Sequence, residues 1–165
     1  MLSNVIIEKK ICLEPQYLYY NLNENLLKKT REVCKDECSK ENGYILEVKR
    51  IVKIKDNYIS NVNSSTMFVI DIEVESLIPY LNNIYSDKVC MIFNGGLFMT
   101  IKDKIKVLIP SSSLEEYTFD SNNKVFKGTK KQIIKENDVV KVKITGIKYS
   151  KKNFSCFGEF ITCDT

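Results

Sequence analysis

The chain has no histidine and no tryptophan. Without histidine the commonest general base is missing, and with it any Ser-His or Cys-His nucleophile pair. Metal binding would be left to thiolates and carboxylates. Cys34 and Cys38 offer two ligands on a helix-like stretch where a closed tetrahedral zinc site needs four, and no second close pair or histidine follows. No metal and no cofactor are expected. Glycine and proline are scarce, six and three in 165 residues. No Gly-rich phosphate loop is present, because Gly95-Gly96 lacks the lysine and the following helix. No apolar run approaches the ~18 residues of a membrane helix, and the opening MLSNVIIEKK lacks a basic segment followed by a long apolar one. The sequence predicts an intracellular, unanchored chain that is not an enzyme. Its six cysteines fall inside strand-like and helix-like patterns rather than a short disulfide framework, so reduced thiols are expected.

What the chain does have is charge, unevenly spread. Residues 1–80 carry 11 Lys and Arg against 12 Asp and Glu, whereas residues 81–165 carry 14 against 9. The net charge of +4 therefore belongs to the second half. Phosphate backbones are bound largely through lysine and arginine with release of counterions, so nucleic acid is expected to meet residues 81–165. The competing explanation is compositional, since Lys, Asn and Ile are abundant throughout, as in an AT-rich genome.

The first half follows the order strand, helix, strand, strand. Val5 to Leu13 places Ile7, Ile11 and Leu13 on one face, and Glu14-Pro15 ends it. Asn21 and Glu24 resemble a capping box, and Leu22, Leu26, Thr30 and Val33, flanked by Leu27, Cys34 and Cys38, give helical spacing over 22–38. Gly43 supplies a break. Leu46, Val48, Val52 and Ile54 then alternate with Glu47, Lys49 and Lys53 in a half-exposed strand, with Arg50 out of pattern. Asp56-Asn57 is turn chemistry, and 60–66 is a polar loop. From Met67 to Ile78, Phe68, Ile70, Ile72 and Val74 face inward while Asp71, Glu73 and Glu75 form a solvated outer face. The pattern is a small α+β layer bounded by Pro79.

Residues 85–114 say more than any other stretch. Val89 to Phe93 leads into Asn94-Gly95-Gly96, a tight hairpin that exploits positive φ. Leu97 to Ile101 turns at Asp103-Lys104 into Ile105 to Ile109, Pro110 stops the pairing, and Ser111 to Leu114 begins a helical turn capped by serine. Glu115 to Gly128 is expected as a long loop with Asp120 to Asn123 at its tip. Val140, Val142 and Ile144 alternate with lysines, and 149–153 turns the chain into a last strand, Phe154 to Ile161. These elements match a five-stranded OB barrel, which binds oligonucleotides on the face of its second and third strands. Lys88, Lys102, Lys104, Lys106, Lys143, Lys148, Lys151 and Lys152 lie on its strands and turns as candidates for single-stranded RNA. Phe93 and Phe98 are the candidate rings for base stacking, and Phe98, out of phase with Leu97, Met99 and Ile101, is the better placed of the two. Phe93, in phase with Val89 and Met91, is expected inside the barrel.

Taken in order, these stretches resemble the seventh subunit of eukaryotic RNA polymerase II and its archaeal counterpart. The resemblance runs over nearly the whole chain. It rests on the strand entering Leu13-Glu14-Pro15, the helix ending before Gly43-Tyr44-Ile45, the strand 67–78 running into Pro79, and Gly95-Gly96-Leu97-Phe98. The closing Val140 to Ile144 and Gly158-Glu159-Phe160-Ile161 complete the series. It implies an α+β chain in which residues 1–80 form a truncated RNP-like tip domain (β-α-β-β) docking on RNA polymerase core subunits. Residues 81–165 would form an S1-type OB barrel. The chain would be a non-catalytic stalk subunit of a DNA-directed RNA polymerase, contacting nascent RNA near the exit channel beside a fourth-subunit-like helical partner.

Lys40, Asn42, Gly43, Asp56, Asn57 and Asn61, in polar loops, are the candidates for core docking. Val69, Leu77, Tyr80, Leu81 and Ile84 are the candidates for the partner interface. Location would follow the polymerase: nucleus in a eukaryotic cell, cytoplasm or virion if a large DNA virus encodes it. Two departures stand out. Tyr80 to Ile84 replaces the Gly-Glu usual after the junction proline. In the hairpin, Gly95 stands at the first aromatic position of RNA-binding S1 domains, Phe98 at the second, and Pro110 near the later histidine, which predicts modest, electrostatic RNA affinity. The competing readings are a free-standing S1-type RNA-binding regulator mimicking a translation factor, and a structural module that has lost nucleic-acid binding.

Overall fold

Alternation of apolar and charged side chains sets the first strand, β1 (Leu2–Leu13), with Ile7, Ile11 and Leu13 buried as a period of two requires. The computed structural model describes residues 2–129 and 132–164 and divides into two units, Met1–Ile78 and Pro79–Thr165. In unit 1, β1 is followed by helix α1 (Leu22–Cys34), the short β2 (Cys38–Ser39), β3 (Gly43–Ile59) and β4 (Thr66–Leu77). The strands form one antiparallel sheet in the order β1-β4-β3-β2. Leu26, Thr30 and Cys34, one turn apart, are the buried stripe of α1, and Leu26 and Cys34 join Ile11, Phe68, Ile70 and Ile72 of the sheet in the core.

Both ends of the helix differ from expectation. Asn21 does stand at the N-cap, but it is left-handed at φ 50° and its side chain makes no capping bond. Asn25, one turn in, donates instead to the carbonyls of Tyr17 and Tyr20 at 3.1 and 2.7 Å. At the other end the helix stops at Cys34, where Lys35 is extended and Asp36 left-handed at φ 59°. Cys38 is therefore a strand residue, paired with Tyr44, rather than the last turn of the helix.

β3 departs furthest from simple alternation. Ile45, Val48, Ile51 and Ile54 face inward, three residues apart, because the register slips once between each successive pair. Leu46, Lys49, Val52 and Lys55 are the extra residues of four successive β-bulges, so every three residues of β3 span two of β4. This explains Arg50, which no alternation accommodates, and leaves Val52 exposed although it was expected inside. It also aims cations at the acidic outer row of β4. Lys49 reaches Glu75 at 3.5 Å, Arg50 reaches Glu73 at 2.6 Å, and Lys55 reaches Asp71 at 3.0 Å and Glu8 at 2.9 Å. Those carboxylates are thus paired rather than merely solvated. Asp56-Asn57 continues β3 instead of turning it. The strand can start flush against β4 only at a glycine: Gly43 has φ +69°, and a Cβ there would lie 2.2 Å from the Leu77 carbonyl oxygen.

Unit 2 closes a five-stranded barrel from β5 (Ile84–Phe93), β6 (Gly96–Ile101), β7 (Ile105–Pro110), β11 (Val139–Ser150) and β12 (Asn153–Asp164), in the order β11-β12-β7-β6-β5. The stretch 115–128 is not a loop. It contains the hairpin β8 (Tyr117–Asp120) and β9 (Val125–Gly128), which with β10 (Ile133–Ile134) makes a small separate sheet. Asp120 organises the hairpin tip by accepting from the Asn122 and Asn123 backbone N–H groups and from the Asn123 side chain, while the Lys127 ammonium pairs with it at 2.5 Å. Pro110 remains in β7, paired with Gly96. The following 3-10 turn, Ser111–Ser113, has no side-chain cap, and Ser113 donates to the Pro110 carbonyl instead. In the β5–β6 hairpin the positive φ falls at Gly96, +144°, where a Cβ would meet the Ile109 carbonyl oxygen at 2.1 Å.

Candidate nucleic-acid interface

The barrel interior claims Leu97, Met99, Val107, Val142, Ile144 and Cys156, and burial pushes the Cys156 thiol up to about 11. The alternate residues of the same strands form the outer face. On β5 that alternation is reset: Val89 pairs with Met99 but Met91 with Phe98, so Cys90 is an extra bulge residue. Ile92 consequently turns in while Met91 and Phe93 turn out, at 47% and 36% exposure. The expectation that Phe93 lies inside fails for this reason.

Register then assembles an apolar row across four strands, Met91 beside Phe98, Phe98 beside Leu108, and Leu108 beside Phe157. Phe157 is 49% exposed. Gly146 continues the row on β11 without a side chain and lets the Phe157 ring lie 3.5 Å from its hypothetical Cβ. Phe93 stacks on Phe98 with ring centroids 5.6 Å apart and planes 24° from parallel. Its ring also covers Gly95, where a Cβ would come 2.7 Å from Phe93 Cε2. The space over the first hairpin position is thus filled by a ring from two residues upstream.

A second row runs alongside, Thr100, Lys106, Ser155 and Lys148, bringing two lysines next to the apolar row. The β6–β7 turn with Lys102 and Lys104 and the β11–β12 turn with Lys151 and Lys152 leave the same end of the barrel, since β7 and β12 run parallel from there. Lys88 joins that end through Asp87, whose carboxylate accepts from the backbone N–H groups of Lys88 and Lys102 at 2.8 and 2.9 Å. Seven of the eight lysines expected at RNA therefore converge. Lys143 does not. It pairs in register with Glu159 and Ile84, beyond the apolar row from Lys148. An aromatic platform edged by ammonium groups is the arrangement that holds single strands, bases on the rings and phosphates on the cations.

A family model described as S1 RNA binding domain matches residues 78–156, which include the whole of this face except Phe157. Unit 2 is an S1-type barrel. Over 162 residues, 96% of this chain, the sequence is 22% identical to DNA-directed RNA polymerase II subunit RPB7 of Glycine max, covering 91% of that protein. Together the two matches fit the resemblance to the seventh-subunit family drawn from the sequence. The fold agrees with it, an α+β first unit followed by a closed barrel.

In the S1-type barrel, Met91, Leu108 and Phe157 were missed as face residues, and Phe93, though a candidate ring, was expected inside. Phe157 was legible, because Phe154, Cys156 and Gly158 alternate inward around it. Phe93 was not, because nothing at Cys90 announces a bulge.

The residues assigned to core docking do not form one patch. Lys40 and Asn42 stand at the start of β3, while Asp56, Asn57 and Asn61 stand at and beyond its far end. Gly43 is buried, with its backbone packed on Leu77, so it presents no docking surface. Of the partner-interface residues, Val69 is half-buried on the outer row of β4, and Tyr80, Leu81 and Ile84 of unit 2 are exposed. Leu77 is only 2% exposed, held in a central strand between Leu2 and Tyr44.

Proposed function

We propose that this chain is a non-catalytic stalk subunit of a DNA-directed RNA polymerase, with unit 1 docking on the core and the barrel holding nascent RNA. The observation that carries the reading is the collinear match to a seventh polymerase subunit across both units. The basic end of the barrel supports the RNA half of it. Bases would stack on Phe98 and Phe93, and phosphates would lie along Lys106 and Lys148 toward the two turns.

Docking is best served by one end of the unit 1 sheet. Leu13, Thr66 and Ile59 lie side by side there, so the segment after β1 and the β3–β4 loop leave together. That end presents Tyr19 at 83%, Tyr20 at 85% and Val62 at 94% exposure. Exposed aromatic residues of this kind commonly anchor protein interfaces. Asp56, Asn57 and Asn61 belong to the same end, and Tyr80, Leu81 and Ile84 would be available to a fourth-subunit-like companion. Among the described residues no helix is long and apolar enough to cross a membrane, and location would follow the polymerase.

The test is to isolate the tagged full-length chain at native abundance and identify what accompanies it. Large polymerase subunits are expected, and they should be lost from Tyr19→Ala/Tyr20→Ala/Val62→Ser while RNA binding persists. Recovery of ribosomal or initiation components instead would replace this reading with the free-standing regulator.

A further inference from the structure

The barrel carries a second groove whose chemistry is opposite to that of the lysine-edged face. β11 pairs with β12 along its length, but β7 pairs with it only at Ser155, Cys156 and Phe157. From Gly158 to Thr162 the β7 side of β12 has no strand partner among the described residues. These residues, with Ser112 to Tyr117 and Gln132, line a groove of about 700 Å³. Its wall is braced, since the Tyr117 hydroxyl donates to Gln132 Oε1 at 3.0 Å and the Tyr117 ring meets Phe160 edge-on at 5.4 Å.

An unpaired strand edge is a template for another extended backbone. Ile161 is skipped between Phe160 and Thr162 in the pairing with β11, a bulge at this end of the strand, so the edge offers four ladder positions. They correspond to about 13 Å of strand at ~3.3 Å per residue, enough to seat a short segment. The groove lining is apolar at Phe157, Phe160 and Ile161 and acidic at Glu115, Glu116 and Glu159. Among the described residues no cation pairs with any of the three carboxylates, and Lys143, across the ladder from Glu159, makes no ion pair with it. Three carboxylates repel a phosphate backbone and favour ammonium or guanidinium groups. We propose that the open edge of β12 takes, by strand addition, an extended segment of a partner protein in which Lys or Arg alternates with apolar residues. Backbone hydrogen bonds to Gly158–Thr162 would hold the segment, the carboxylates would select its basic side chains, and Phe157 and Ile161 would cover its apolar ones. This surface shares Phe157 with the apolar row of the lysine-edged face but none of its lysines, and it does not depend on the polymerase reading.

The test uses the isotope-labelled full-length chain and two capped hexapeptides, one alternating Lys with Val and the other Glu with Val. The Lys-Val peptide is expected to slow amide exchange within Gly158–Thr162 and to shift the Tyr117 and Gln132 amides, while the Glu-Val peptide leaves them unchanged. Glu115→Gln/Glu116→Gln/Glu159→Gln should weaken the Lys-Val peptide about tenfold, the sum of three modest surface attractions. Equal binding of the two peptides would overturn the proposal, as would unchanged exchange at Gly158–Thr162 under saturating Lys-Val peptide. Protection of the same amides by oligouridine would assign the groove to RNA. Protection that grows with protein concentration alone would assign it to a second copy of the chain, and either result ends the peptide reading. The peptide comparison uses the unaltered chain, so it stands even if the triple variant fails to fold.

Discussion

At the scale of single residues, the pair Phe93 and Phe98 does what neither would do alone. Gly95 leaves a gap over the hairpin, and the Phe93 ring folds into it and onto Phe98. Phe98→Ala should therefore cost about 1–3 kcal/mol in single-stranded RNA binding, measured by fluorescence anisotropy at fixed salt. Phe93→Ala should cost a comparable amount although its ring lies partly on Phe98, because removing it uncovers Gly95 and frees the second ring. If Phe93→Ala binds like the unaltered chain, that ring only fills space. Asp120 offers a different single-residue test. The Lys127 ammonium first, and then the Asn123 side chain and backbone N–H groups, hold its carboxyl well below the usual carboxylate range. A depressed folded value means that the stabilisation is complete above the unfolded value, ~3.9, and is lost as pH falls from there toward the folded one. Protection of the Asn122 and Asn123 amides, taken relative to their intrinsic exchange rates, should accordingly hold constant from pH 6 to 4 and fall below, and Asp120→Asn should remove that dependence.

Among the elements, the β5–β6 hairpin has least tolerance. With φ +144° and backbone 2.1 Å from any Cβ at Gly96, Gly96→Ala should destabilise the barrel by more than about 1 kcal/mol, seen as an earlier urea transition. Strands with one buried face were legible wherever strict alternation held, as in β1, β4 and β6, because a period of two leaves no ambiguity about which side is buried. β3 defeated that reading. Four bulges turn its period from two to three, and a bulge is fixed by pairing with a neighbour, which a single strand does not reveal. The same cause hid Phe93, whose phase depends on one bulge at Cys90. The β8–β9 hairpin went unread for another reason: four-residue strands around a polar tip carry too few apolar residues to show a period. The candidate site was half-legible. Its lysines could be found from the excess of positive charge, but the apolar row exists only through register across four strands.

The whole molecule divides its charge by unit, near-neutral paired charges in the first and an unbalanced basic end in the second. If phosphate contacts dominate RNA affinity, replacing Lys102, Lys104 and Lys106 together by Gln should flatten the slope of log affinity against log salt by roughly 2, at ~0.7 per contact on a single strand. An unchanged slope in a salt titration would return those lysines to an ordinary solvated surface. The slipped ladder of unit 1 has a consequence for how such a protein can change in length. Because β3 advances three residues for every two of β4 from Ile45 to Asn57, the two strands behave as a vernier. Removing three residues from β3 together with two each from β4 and β1 would restore the same facing pattern, whereas removing two from every strand would turn buried isoleucines of β3 to solvent. Insertions and deletions in this sheet are therefore tolerated in a ratio of three to two, and the reach of the unit can be shortened or lengthened in those steps without redesigning its core.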